Sequence, residues 1–510
     1  MRVNTTMTFQ KILCIGAVNR LTDEFVTRLA KQHQTTNWGL VDSPDYVPTE
    51  SGYYHTTVVD LEPGDIALHL AEQFDKIILL EQPRNFYSHH KILLTSFRLM
   101  VDLEKDGHTT DFRSNKNVSH LVYWHNLLRK NLAICSYPWT LLLEDFGYTT
   151  VCPKSPTRVT DFNSITNWQT DKHYIEIRNK MLVGEKQPEH CQLCYDREAE
   201  GEESTRMYET LEWVSCLELE TEEDLKKIKN PVFYEVRPSN KCNLMCRMCD
   251  DVRSHLIEKE ARKIGFEIRV DRGSFGPTAY KNINLDSAKR IYFAGGEPTI
   301  MPEFFNFLEH CVAQQKTNFE LCIGTNGMKF SSKLLKLLQH FDNVICSVSL
   351  DGYNKVNDYI RWGADFNKIE KNCQILMDEG HRVAFQTTFS IYNVTRIHEL
   401  YEFYSDKFPR CGLLAQIATT PGDIMYAFNH PFPELVIDSM LKTQKTQYYY
   451  KNGRSVRSII DGLLDYYSSN PRLDVEKLKK FYEYNDKLDQ SRNSKLIDYI
   501  PELDAGRKFI

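Results

Sequence analysis

Three cysteines on one short loop constrain this chain more than any other feature. Cys242, Cys246 and Cys249 stand in the run Lys241-Cys242-Asn243-Leu244-Met245-Cys246-Arg247-Met248-Cys249-Asp250, with the spacing C-x3-C-x2-C. Three thiolates so placed can hold three irons of a cubane iron–sulfur cluster and leave the fourth iron without a protein ligand. An iron left open can bind and reduce a substrate or cofactor, which a closed site cannot. The alternative is a structural zinc knuckle. Zinc prefers four ligands in paired C-x2-C spacing, and only His255 lies close enough downstream to complete such a set.

A second motif follows. Lys289 to Thr299 reads Lys-Arg-Ile-Tyr-Phe-Ala-Gly-Gly-Glu-Pro-Thr. Ile291–Ala294 is a short apolar, β-prone run ended by two glycines. Gly295 and Gly296 carry no Cβ, so backbone can approach a ligand closely. Glu297 offers a carboxylate to a cationic amine, and Pro298 starts a turn or helix. Alone, the tetrapeptide is an ordinary strand-to-helix turn. One βα unit after the cysteine loop, it supports a ligand site.

Strand and helix patterns alternate through this region. Strands are expected at Phe233–Val236, Ile291–Ala294, Phe319–Ile323, Val344–Leu350, Arg382–Phe389 and Leu413–Ala418. Helices are expected at Asp251–Ile264, Lys333–Phe341 (capped by Ser331), Phe366–Glu379 and Ile397–Phe408. Repeats of this kind imply parallel strands covered on both faces, with ligands at the carboxyl ends. The cysteine loop, Gly295–Pro298, Thr325-Asn326-Gly327 and Ser349-Leu350-Asp351-Gly352 fall at the ends of the first four strands.

These motifs, in this order, resemble the radical SAM superfamily over about Pro231 to Asp423. The resemblance implies an α/β fold, a partial (βα)6 barrel, with a 4Fe–4S cluster on Cys242, Cys246 and Cys249. S-adenosylmethionine would bind the open iron through its amino and carboxylate groups. Gly295, Gly296, Glu297 and Pro298 would hold the amino group, with Asn326 nearby at the end of the third strand. Ser349 and Asp351 are candidates for its ribose and methionine parts, and a turn with an Asx-type hydrogen bond is an equal reading of these two. Met248 stands where the family often has an aromatic residue near the adenine; methionine is a departure that can still pack there.

The implied reaction is reductive cleavage of S-adenosylmethionine to methionine and a 5′-deoxyadenosyl radical, which takes a hydrogen from an unreactive C–H bond. A flavodoxin or ferredoxin would supply the electron, and a peptide, protein or small molecule would be the substrate of this oxidoreductase or peptide-modifying enzyme. Thioether formation, epimerisation, C–C crosslinking and dehydrogenation all fit. Cys322, Cys346, Tyr353 and Tyr392 are the candidates for a final hydrogen donor. Two other readings stay open: an iron–sulfur electron-transfer or redox module without turnover, and a zinc-binding scaffold.

Four upstream cysteines look like a second centre: Cys135, Cys152 and the C-x2-C pair Cys191 and Cys194. Leu141–Glu144 and Tyr148–Val151 read as a hairpin between the first two. The segment resembles the twitch and SPASM auxiliary-cluster domains, here preceding the barrel. Four thiolates can close a complete 4Fe–4S cluster, and a four-cysteine zinc site has the same signature. His190, beside Cys191, reads as a surface residue, with a place as an alternative ligand the other reading.

Composition excludes more than it reveals. The 510 residues carry a net charge of −6, with 41% hydrophobic and 26% charged residues, as in a globular protein with a large core. No block of like charge suggests a nucleic-acid track, and no apolar run suggests a membrane span or signal peptide. A cytoplasmic location is expected. Seven of the fourteen cysteines belong to the two proposed clusters, and buried thiols are the default for the rest.

The expected domains are 1–130, a small α/β (Rossmann-like) domain; 131–225, the twitch-like domain; 231–423, the barrel; and 425–510, a helical extension. In the first, strands are expected in the run Lys11–Ala17 and at Trp38–Val41, Thr56–Leu61 and Lys76–Leu80. Helices are expected at Asp23–Gln32, Ile66–Phe74 and His90–Leu103. Only Gly16 stands where a dinucleotide loop would need three glycines. In the last region, helices are expected at Glu434–Lys442, Ser455–Tyr467 and Val475–Leu488.

Overall fold

The computed structural model describes residues 119–161, 168–199, 204–269, 279–418, 422–446, 448 and 454–510, and five short strands before them. The chain divides into two compact units. One spans Met1–Ser136 and Cys194–Lys227; the other spans Tyr137–Leu193 and Ile228–Ile510.

In the first unit, strands β1 (Ile12–Ile15), β2 (Asn37–Val41), β3 (His55–Val59), β4 (Lys76–Leu80) and β5 (Thr109–Arg113) form a parallel sheet in the order β2-β3-β1-β4-β5. Four of these coincide with expected strands. Strand β5, Thr-Thr-Asp-Phe-Arg, lacks the apolar run that marks the others. The helices expected at 23–32, 66–74 and 90–103 lie outside the described residues. Helices Ser119–Lys130 and Thr205–Cys216 pack on each other. Between them Trp124 is fully buried, its Nε1 donating to the Leu219 carbonyl at 2.9 Å. The buried Arg206 pairs with Glu198 at 2.7 Å and donates to the carbonyls of Leu128 and Ile134. Every donor of this buried cation that these bonds engage has an oxygen partner, which is the condition for burying it.

The second unit is built on a nine-stranded sheet. Its strands are β6 (Leu141–Asp145), β7 (Tyr148–Thr150), β8 (Thr160–Asp161), β9 (Phe233–Arg237), β11 (Arg290–Phe293), β12 (Glu320–Thr325), β13 (Val344–Ser349), β15 (Arg382–Phe389) and β16 (Gly412–Ile417), while β10 (Met245–Cys246) and β14 (Arg361–Trp362) form a separate pair. Six of them run parallel in the order β16-β15-β13-β12-β11-β9, each beside its predecessor in the βα series. This is the mostly parallel α/β arrangement that a partial (βα)6 barrel requires. Burial alternates along much of β12, β13 and β15. Leu321 and Ile323, Val344, Cys346 and Val348, and Val383 and Phe385 lie under the helices, whereas Cys322, Ile345, Ser349 and Gln386 face the other way and are half-buried.

The hairpin expected within 131–225 joins the main sheet, β6 pairing in parallel with β9 from Leu141↔Phe233 to Asp145↔Arg237. One expectation changes here. The helix expected from Asp251 starts at His255, capped by the Ser254 hydroxyl on Ile257 N–H. The preceding acids are used otherwise, since Asp250 accepts from Arg253 and Asp251 from the backbone of Arg269.

The C-terminal helices are Pro433–Gln444, Arg454–Ser468 and Val475–Arg492. The last packs Leu478, Phe481 and Tyr482 onto Tyr359, Ile360, Ile391 and Tyr392, which follow β13 and β15. It thereby covers the carboxyl ends of those strands. No described helix is long and apolar enough to cross a membrane.

Candidate active site

The cysteine loop leaves the carboxyl end of β9 and is held at both ends. Cys242 N–H donates to His255 Nδ1 at 3.2 Å, so that ring nitrogen serves the loop's backbone. Further on, β10 pairs antiparallel with β14, placing Cys246 opposite Arg361. Cys249 N–H closes a turn onto the Cys246 carbonyl at 3.1 Å. Two donors point at sulfur: Leu244 N–H at 3.5 Å from Cys242 Sγ, and Arg361 Nη1 at 3.9 Å from Cys246 Sγ. Burial pushes the Cys242 thiol up to about 12 and raises those of Cys246 and Cys249; the neighbouring cysteines add to the shift at Cys242 and Cys249. Such thiols stay neutral unless a metal supplies positive charge to hold them as thiolates.

The second motif is docked on the approach to this loop. Gly296 N–H donates to Ser239 O at 2.9 Å, and Glu297 N–H to Lys241 O at 2.8 Å. There is no room for a side chain between them. A Cβ on Gly295, whose φ is +113°, would stand 2.7 Å from Ser239 O, and one on Gly296 would collide with the Lys241 carbonyl. Pro298 is buried and opens a 3-10 turn, Pro298–Ile300.

Glu297 itself is fully buried. Its Oε1 accepts from the Thr299 N–H (3.1 Å), the Thr299 hydroxyl (2.7 Å) and the Thr325 hydroxyl (2.7 Å), and its Oε2 from Asn326 N–H at 2.7 Å. Burial raises its pKa against these four bonds. The carboxylate expected to face an amine is thus a strut between the ends of β11 and β12. Asn326 extends the tie, its Nδ2 donating to Asn243 Oδ1 at 2.8 Å, next to Cys242.

At the end of β13, Ser349 is half-buried and Asp351 fully buried. Asp351 Oδ1 accepts from Thr388 N–H at 2.7 Å, and Oδ2 lies 2.6 Å from Arg361 Nε. Arg361 therefore bridges Asp351 and Cys246 and carries a half-buried positive charge into the site. Sequence reasoning missed it because no local motif marks it. Met248 is half-buried and packs against the core that joins the C-terminal helix to the sheet.

Of the candidate hydrogen donors, Cys322 alone lies on the sheet face away from the helices and is half-buried there. It neighbours Tyr292 in register, and a Cβ on Gly324 would stand 2.5 Å from the Tyr292 hydroxyl. Cys346 and Tyr392 are fully buried, and Tyr392 donates to Asn485 at 2.8 Å. Tyr353 is exposed and lies in a surface groove with Arg396, Phe403 and Tyr499.

The upstream cysteines fall in both units: Cys135 and Cys194 in the first, Cys152 and Cys191 in the second. Lys154 N–H lies 3.2 Å from Cys152 Sγ, and Cys191 and Cys194 are in the helix Pro188–Ala199. His190 is buried rather than exposed, its Nδ1 3.0 Å from the Ser155 hydroxyl. Among the described residues no three His, Cys, Asp or Glu converge on a single ion. A cubane does not ask for this, because each thiolate holds its own iron. Three half-buried thiols on one loop, with N–H donors aimed at two of them, fit that group.

Residues 236–404 match the profile of the Radical SAM superfamily. Among curated proteins, the Fe-coproporphyrin III synthase of Methanosarcina barkeri is 27% identical over 36% of this chain and 43% of its own length. The mycofactocin maturase MftC of Mycobacterium tuberculosis is 26% identical over 31% of this chain and 38% of its own. An uncharacterized protein of Methanothermobacter thermautotrophicus is 29% identical over 22% of this chain and 44% of its own. The chain thus spans less than half the length of each. Among solved structures, SuiB of Streptococcus suis (16% identity, TM-score 0.30, 45% of this chain and 51% of that one) and anSMEcpe with bound AdoMet (18%, 0.33, 42% and 57%) superpose only loosely. The similarity to the radical SAM superfamily is thus a match of residues 236–404, from the end of β9 to the helix after β15.

Proposed function

We propose that this chain is a radical SAM enzyme: it holds a 4Fe–4S cluster on Cys242, Cys246 and Cys249 and binds S-adenosylmethionine at the open iron. The observation that supports this reading is the docking of Gly295–Glu297 onto Ser239–Lys241, which makes the two motifs one structure. When bound, the cluster supplies one electron to S-adenosylmethionine, whose cleavage gives a 5′-deoxyadenosyl radical for hydrogen abstraction.

The chain's own residues do the rest. The glycine pair presents backbone where a side chain would block approach, so Gly295, Gly296 and Pro298 shape the place for the amino group. Glu297 acts there through its backbone and by fixing Asn326. Arg361, half-buried beside Cys246, offers the cation that a carboxylate needs. Ser349, Met248 and Asp351 border the same place. The C-terminal helix limits water above β13 and β15. The substrate is a peptide or small molecule: one named relative is a synthase and another a maturase, which leaves both classes open. The electron donor is a flavodoxin or ferredoxin. An auxiliary cluster on Cys135, Cys152, Cys191 and Cys194 is proposed on the sequence pattern alone.

The test is anaerobic reconstitution, followed by dithionite and S-adenosylmethionine. Iron and sulfide in the protein, with methionine and 5′-deoxyadenosine formed, are expected, and both products vanish in a Cys242/Cys246/Cys249→Ala variant. About eight irons per chain would mark two cubanes and about four a single one. Zinc in place of iron would overturn the reading, and clusters without cleavage would leave an electron-transfer module.

A further inference from the structure

We infer that the outer face of the helix His255–Ile264, together with Lys241, is the docking surface of an acidic one-electron carrier that reduces the cluster through the cysteine loop. The inference deepens the proposed function and rests on the reading that the cysteine loop holds a cluster.

Charge sets this surface apart. Between Lys241 and Arg269 the exposed cations are Lys241, Arg253, Lys259, Arg262, Lys263 and Arg269. Most acids of the same stretch are hidden. Asp250, Asp251 and Glu260 are buried, which leaves Glu258 half-buried and Glu267 exposed. Arg253 and Arg269 pair with Asp250 at 2.5 and 3.3 Å, and Arg262 pairs with Glu258 at 2.9 Å. Among the described residues Lys241, Lys259 and Lys263 have no ion-pair partner. Lys487, on the helix Val475–Arg492, lies 5.3 Å from the centre of the Phe266 ring and adds a cation at the far end. The whole chain carries −6, so this patch is opposite in sign to the rest. A surface of one sign draws in a partner of the other and orients it.

Position selects an electron carrier as that partner. The amino end of the helix is bonded directly to the cysteine loop. His255 N–H donates to Asn240 O at 3.0 Å, the Ser254 hydroxyl to Leu244 O at 3.4 Å, and Cys242 N–H to His255 Nδ1 at 3.2 Å. His255 is itself exposed. One hydrogen-bonded side chain therefore separates the surface from the backbone of a cluster ligand. His255, Lys259, Arg262 and Lys263 recur at helical spacing on the outer face, while Ile257 and Ala261 are buried. Electron transfer weakens steeply with distance, so a carrier has to dock where the cluster lies close to the surface. The reduced carrier gives up one electron and the oxidised cluster takes it, with no bond made or broken at these residues.

The experiment follows cluster reduction by stopped-flow absorbance in the reconstituted full chain, with iron counted. The donors are a photoreduced flavodoxin and an acidic ferredoxin, and equilibrium binding of each oxidised carrier is measured beside the rates. Lys259→Glu with Lys263→Glu is compared with Lys336→Glu with Lys371→Glu, an equal change of charge at exposed positions of two other helices. At low salt the first pair should bind carrier more weakly and be reduced about tenfold more slowly, a gap that added salt closes. The second pair should stay near the parent. Photoreduced deazariboflavin, a small reductant that needs no docking site, should reduce all three alike. Parental rates and binding in an iron-loaded first pair overturn the inference, as does an equal loss in the second pair. If the first pair does not load, Lys259→Gln with Lys263→Gln replaces it, and parental rates there overturn the inference. So does a parent cluster that deazariboflavin reduces and neither carrier does. A parent chain without iron would instead remove the cluster reading itself, and carrier binding alone would then decide the surface.

Discussion

Glu297 Oε2 accepts the backbone N–H of Asn326 at 2.7 Å, which ties the turn after β11 to the turn after β12. The other oxygen takes three donors from Thr299 and Thr325. A carboxylate can accept all four bonds; an amide cannot, because its NH2 would face donors. Glu297→Gln should therefore cost about 1–3 kcal/mol of stability and weaken S-adenosylmethionine binding by misplacing Gly295 and Gly296. Thr325→Val, which removes one donor, should cost less. Urea unfolding and equilibrium binding check both, and a Glu297→Gln chain with parental stability would refute the strut.

The glycine pair gives a sharper test. A methyl on Gly296 would meet the Lys241 carbonyl, one residue before Cys242. The obstacle is backbone, which cannot swing aside as a side chain can. Gly296→Ala should displace the cysteine loop and lower the iron bound after reconstitution, while the chain stays folded by circular dichroism. Gly380→Ala places a methyl that meets nothing within 4 Å, so it should load iron as the parent does.

The cysteine loop and glycine turn were legible because their chemistry is local: spacing alone brings Cys242, Cys246 and Cys249 together. Strand positions followed from apolar runs for the same reason. The pairing of β6 with β9 was not legible, since nothing in Leu141–Asp145 names its partner across the intervening helices. Asp251 was read as helical by its apolar stripe, but its carboxylate prefers the Arg269 N–H at 2.6 Å. Glu297 was read as a partner for an amine from its charge and its Gly-Gly-Glu-Pro setting; that Thr325 reaches its Oε1 at 2.7 Å depends on the next strand, which no local pattern shows. Arg247 meets Asp489 across 242 residues of sequence, a separation no pattern spans.

That last contact predicts how the C-terminal helix contributes. Arg247 and Asp489 are both buried, and removing one partner leaves the other charge without compensation. Arg247→Met or Asp489→Leu alone should destabilise the chain by about 3–5 kcal/mol, and the double variant by clearly less than the sum. A double-mutant cycle in urea measures the coupling. Additive effects would mean that the pair is not the fastening.

A second buried carboxyl makes stability depend on pH. Glu144 is fully buried where β6 turns into β7, accepting from Gly147 N–H and from Arg237 N–H at 2.8 Å. Burial outweighs these bonds and pushes its pKa from 4.5 up to about 7. The folded state therefore holds the proton more tightly than the unfolded chain. Its contribution is fully present below pH 4.5 and is lost as pH rises through about 7. The loss amounts to roughly 3 kcal/mol over that window. Glu144→Gln removes the titration, so the stability of the parent relative to this variant should decline across the same window and level off above it. Urea midpoints at a series of pH values test the slope. A difference that stays flat would mean that Glu144 remains ionised in the fold, with its two N–H donors sufficient to hold the charge.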